Sequence, residues 1–166
     1  MRRSPLLPLL TVSLLATGLA GCTADAPTDL PTKTFTESMS AVRVDARETS
    51  DDLVAAFGEI RFDQPVDVDV EQCAGEEAGI GRWHWGRVFG ATDPVSTIAG
   101  LRDSYAGAAS VTTGAPGDVE MTPGRSVIAQ LPWTLIRDDA GSYLLQAQEG
   151  PEGIVSITVF SACGVL

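Results

Sequence analysis

The chain has a single histidine, His84, in 166 residues. A histidine-rich metal site is thereby excluded, and any imidazole base would have to be that one ring. Cysteine is nearly as scarce, with Cys22, Cys73 and Cys163 alone. Aromatic residues make up 6% and charged residues 20%, against 44% hydrophobic. These proportions exclude both a disordered polyelectrolyte and a coiled coil. No internal repeat or low-complexity tract is visible. The glycines are scattered among turns and form neither a phosphate loop nor a dinucleotide fingerprint. There is no Gly-x-Ser-x-Gly elbow and no Asp-x-Asp-x-Asp-Gly calcium loop. Lysine is rare while Ala, Gly, Asp and Arg are plentiful, the composition of a GC-rich genome.

The formal net charge is −11, from 22 acidic and 11 basic side chains. The one long apolar run is N-terminal. Arg2 and Arg3 precede Leu6 to Ala20, which is short and interrupted by Pro8, with Pro5 just before it. That length suits the core of a signal peptide better than a membrane span. The run ends in Leu19-Ala20-Gly21-Cys22. This segment resembles the lipobox of bacterial lipoproteins: a leucine, two small residues and a cysteine. The resemblance implies diacylglycerol on the Cys22 thiol, removal of residues 1–21, and a domain held on the extracytoplasmic face of the cell membrane. Removal takes two basic residues and no acidic one, so the mature chain carries −13. Such a charge repels nucleic acid and anionic headgroups, so anchoring is expected to rest on the acyl chains.

With Cys22 lipidated, Cys73 and Cys163 remain. In an oxidising compartment they are expected to form a disulfide, the alternative being two free buried thiols. Residues 22–33, with Pro27 and Pro31, read as a short polar tether, and 34–166 as one globular domain.

Thr34 and Glu37 have capping-box spacing. Phe35, Met39, Val42, Ala46, Leu53 and Phe57 follow at three- and four-residue steps, which predicts a helix ending near Gly58. Residues 60–72 switch to period two. Ile60, Phe62, Val66, Val68 and Val70 share one parity; Arg61, Asp63, Asp67, Asp69 and Glu71 share the other. This predicts a half-buried strand, near a sheet edge because of Pro65. A second strand is expected over 82–89. A helix follows after Asp93-Pro94, with Val95, Ile98, Leu101, Tyr105 and Ala108 inward. Residues 110–121 have room for a short strand. Strands at about 125–136, 142–148 and 153–162 close the chain. The expected class is α+β: an antiparallel sheet of about five strands with two helices on one face, in the order α-β-β-α-β-β-β. This order, with cysteines before the second strand and near the C-terminus, is similar to small actinobacterial envelope lipoproteins of the LppA-like type. That likeness implies architecture and carries no functional residue beyond the lipobox.

Trp83-His84-Trp85-Gly86 is the most unusual run. On a strand, His84 points opposite to Trp83 and Trp85. Either the tryptophans form a platform for a sugar, peptide or lipid, or they pack under a helix with His84 outward. Ser104, Ser110 and Ser126 are available nucleophiles, but no motif joins them to His84. Asp67 and Asp69, with Asp63, Glu71, Glu76 and Glu77, could gather calcium or form a solvated acidic edge. The expectation is therefore a non-enzymatic binding domain with no cofactor or resident metal, for an envelope glycan, lipid or protein. A carboxylate-based hydrolase or sugar-active enzyme, and a calcium-stabilised module, are the alternatives.

Overall fold

In a computed structural model, the described residues are 35–166 except 74, 76, 77, 151 and 152; for 67 and 68 the backbone alone is described. The expected signal peptide, Cys22 and the expected tether lie outside them, as do Thr34, Glu76 and Glu77. Among the described residues no helix is long and apolar enough to cross a membrane.

Among the described residues the class is α+β, with two helices and an antiparallel main sheet. Helix α1 spans Met39–Ala55 and α2 spans Pro94–Tyr105. The strands are β1 Asp63–Gln72, β2 Ile80–Ala91, β3 Ser110–Gly114, β4 Gly117–Thr122, β5 Arg125–Ala129, β6 Trp133–Arg137, β7 Gly141–Ala147, β8 Gly153–Ser161 and β9 Gly164–Val165. The main sheet runs β1-β2-β8-β7-β6-β3, with β9 also on β2; β4 and β5 form a separate hairpin. The sheet is thus larger than the expected five strands, and the chain order after α2 differs.

Helix α1 buries the expected stripe of Met39, Val42, Ala46 and Leu53, joined by Ser50 and Val54. Its start differs. Ser38 is the N-cap, its hydroxyl accepting from the Ala41 N–H at 3.2 Å, so Glu37 stands before the helix. Serine there satisfies an orphan N–H of the first turn. In α2, Pro94 and Leu101 are buried, whereas Val95 is 43% exposed and Ala108 lies beyond the helix end.

The helices cover one face of the sheet. Leu53, Phe57, Phe89, Leu101, Ile136, Tyr143, Leu145, Val155, Ile157 and Val159 form the core between them. The opposite face is covered too. Val119, Met121 and Ala129 of the hairpin pack on Leu135, Leu144 and Phe160. This third layer exists because the expected strand 125–136 breaks. Pro132 cannot donate to a ladder. The Gln146 side-chain oxygen accepts from the Gln130 and Leu131 N–H groups at 2.9 and 3.2 Å, fixing the bend. β5 then leaves the sheet plane while β6 pairs with β7.

The reading of β1 is corrected as well. It is the edge strand, but its valines do not share a face. Val66 pairs with Gly86 and Val70 with Trp83, with a register shift between Val66 and Asp69. Gly86 and Trp83 are three apart on β2, so they point to opposite faces. A bulge flips alternation, so one parity becomes two faces. Val66 and Val70 are consequently exposed.

Cys73 follows β1 and Cys163 lies between β8 and β9; the two form a disulfide with Cα atoms 6.3 Å apart. The bond ties the C-terminal strands to the end of β1, as the cysteine arithmetic implied.

Candidate functional site

Strand β2 carries the residues singled out by sequence, and alternation separates them. Trp83 and Trp85 face α1. The Trp83 indole N–H donates to the Met39 carbonyl at 2.9 Å. The Arg43 guanidinium lies over the Trp83 ring, 4.2 Å from its centroid. Both tryptophans are half-buried, so the structure combines the two expectations: they pack under a helix and also line clefts at its flank. A groove of about 920 Å³ is lined by Trp83, Thr36, Val44, Val165 and Leu166 among others. A smaller cleft of about 260 Å³ is lined by Trp85, Asp51, Asp63 and Arg87. Arg43 and Arg47 border both.

Arg87 is already engaged. Its guanidinium donates to Asp63 at 3.1 and 2.5 Å and to Asp51 at 2.8 Å. That hydrogen bonding holds the Asp63 carboxyl below the usual carboxylate range and raises Arg87 above its own. Among the described residues Arg43 and Arg47, one helical turn apart, form no ion pair.

His84 faces the other way and is not an outward-pointing group. Its ring stacks on Phe160, with centroids 4.3 Å apart and planes 19° apart. Burial lowers its pKa, partly offset by the charges of Glu71 and Asp69. The ring is therefore neutral near pH 7. It makes no hydrogen bond with a serine among the described residues, and the Ser104 hydroxyl donates to the Leu101 carbonyl. Strand placement puts Ser110 on β3 and Ser126 on β5.

The acidic edge is partnered where it is described. Asp63 holds Arg87, and the Asp69 carboxylate accepts from the Val70 N–H at 2.7 Å. Glu71 lies 3.1 Å from the buried Arg82 and 3.0 Å from Arg125. Arg82 also reaches the Thr122 hydroxyl, so this triad fastens the β4–β5 hairpin to β1 and β2. Among the described residues no three His, Cys, Asp or Glu side chains gather at metal-binding range.

A further site escaped the sequence reading. Between α2 and the rim of β3, β6 and β7 lies a cleft of about 530 Å³. Val95, Ile98, Leu131, Pro132, Trp133 and Ala147 supply its apolar wall, and Arg102 and Glu149 stand at its polar rim. The volume and the mixture are those of a small-molecule cleft. One glycine shapes it: a Cβ at Gly114 would overlap the Trp133 ring. The Trp133 indole N–H donates to the Ala115 carbonyl at 2.8 Å, which fixes the ring across β3. Among the described residues Arg102 pairs with its chain neighbour Asp103 alone, at 3.1 Å, and both side chains are exposed. The one signal available in sequence was Pro132 beside Trp133, a break that read as continuous strand.

No protein-family model matches this chain, and comparison with curated proteins and with solved structures gives no match either.

Proposed function

We propose that the protein is a lipoprotein anchored through diacylglycerol on Cys22 to the extracytoplasmic face of the cell membrane. In this reading its domain is a binding module and not an enzyme. The α2–Trp133 cleft is its ligand site, and the ligand is an amphipathic molecule of the envelope. Its apolar body would lie against Ile98, Leu131 and Trp133, and an anionic end would meet Arg102. The cleft carries this reading, because it joins an aromatic wall to an arginine whose one ion pair among the described residues is a weak, exposed one. The hydrolase alternative has less support: His84 is packed on Phe160, and the described β1 carboxylates are engaged with arginines or backbone.

A fluorescent long-chain carboxylic acid tests the cleft. The full-length protein is expected to bind it, and Ile98→Asp to weaken binding at least tenfold with the fold intact by circular dichroism. Equal binding by wild type and variant would remove the cleft from the proposal.

A further inference from the structure

We infer that the groove along α1 is a membrane-docking surface, and that its partner is the anionic phospholipid headgroup of the bilayer holding the anchor. This rests on the lipid-anchored reading and uses a site distinct from the α2 cleft. α1 packs at the β2 side of the main sheet and α2 at the β6 side. Three strand spacings, roughly 15 Å, separate β2 from β6.

The first observation is chemical. In a chain of net charge −11, the groove is bordered by Arg43 and Arg47, neither in an ion pair among the described residues. Around them stand large apolar side chains that a water-facing surface does not require. Val44 is 63% exposed, Val165 40% and Leu166 69%. Trp83 lies between, its ring under Arg43. Cations beside exposed aliphatic groups and a half-buried indole match a bilayer interface. There arginine meets phosphate, and aliphatic groups and indole sit at the headgroup–acyl boundary.

The second observation is chain length. Thr36 lines this same groove, and Cys22 is fourteen positions earlier. Fourteen residues span at most about 50 Å when fully extended. An acyl chain on Cys22 therefore tethers the groove's own end of the domain near the bilayer. The effective concentration of headgroups at the groove is then high, and two arginines suffice to orient a domain that they could not recruit alone. At physiological salt fields decay over about 8 Å, and Asp51 and Asp63 of the adjoining cleft are already held by Arg87, which leaves the two arginines to meet a headgroup.

The experiment uses full-length lipidated protein reconstituted into vesicles of phosphatidylcholine, with or without 30% phosphatidylglycerol, each containing brominated lipid. Bromine quenches only nearby tryptophan. Quenching of Trp83 and Trp85, isolated by a Trp133→Phe background, is expected to be strong in anionic vesicles and weak in neutral ones. Arg43→Gln with Arg47→Gln is expected to abolish the difference, since each arginine near an anionic surface strengthens attachment about fivefold. Attachment to neutral vesicles reports the acyl anchor separately. Should that anchor be missing, co-sedimentation of the chain with anionic vesicles reads the groove instead, and no dependence on the two arginines would overturn the inference. Equal quenching in neutral and anionic vesicles would overturn it too. So would protection of the groove by a soluble envelope polyanion in preference to vesicles.

Discussion

Tyr143 is fully buried, and its hydroxyl has no well-formed hydrogen bond among the described residues. Thr49 and Asp138 are close, but the Thr49 hydroxyl is directed to the Asp138 carboxylate at 3.4 Å. Burial pushes the Tyr143 phenol well above its ordinary pKa. A buried hydroxyl left unsatisfied opposes folding, so removing it should do little harm. Tyr143→Phe is expected to change stability by less than about 1 kcal/mol, or to raise it, in urea unfolding; a loss of 2 kcal/mol or more would reveal a strong bond. His84 has a signed pH dependence. Its folded-state pKa lies below the ordinary 6.5, chiefly through burial. The unfolded chain then binds the proton more readily, so this residue's contribution is intact above about pH 6.5 and is lost as pH falls toward the lower folded value. His84→Phe preserves the stack on Phe160 and removes the titration. Its melting temperature should therefore fall less than that of wild type between pH 7.5 and pH 5.5. Parallel curves would show that His84 is not the titrating group.

At the scale of elements, the hairpin β4–β5 depends on a small core. Met121 is fully buried against Leu135, Leu144 and Phe160. Met121→Ala is expected to cost about 2–5 kcal/mol in chemical unfolding. A cost below 1 kcal/mol would mean that the hairpin contributes little to the folded state. Much of this scale was legible in the sequence. The α1 stripe, the Asp93-Pro94 start of α2, and strands β2, β7 and β8 follow from periodicity and turn chemistry. Two features were not legible, for physical reasons. The β1 bulge depends on register with β2, which period-two counting along one strand cannot contain. The bend at 130–132 depends on Gln146, a residue fourteen or more positions away. Tertiary hydrogen bonds decided both. The same limit hid the α2 cleft, since its walls come from α2, β6 and the turn after β7.

At the scale of the whole molecule, one covalent bond closes the fold across 90 positions. Cys73→Ala with Cys163→Ala is expected to lower stability by about 4–5 kcal/mol, most of the margin of a small domain. Thermal unfolding under oxidising and reducing conditions checks it: wild type should lose stability on reduction and the double variant should not. The candidate site was legible only in part. Trp83, His84 and Trp85 stood out by composition, but which of them lines a groove is set by their packing against α1 and Phe160. The relation of Arg43 to Trp83 exists only once α1 lies on β2. Together these features support the proposal of a domain held to the bilayer at its α1 end, with a ligand cleft beside α2. The most direct test is native mass spectrometry of the full-length protein gently extracted from the envelope of its own host. The expected mass is that of a chain beginning at a diacylglycerol-modified Cys22, with an amphipathic small molecule bound that Trp133→Ala loses. An unmodified Cys22, or a modified chain that carries the same bound molecule in wild type and Trp133→Ala, would contradict it.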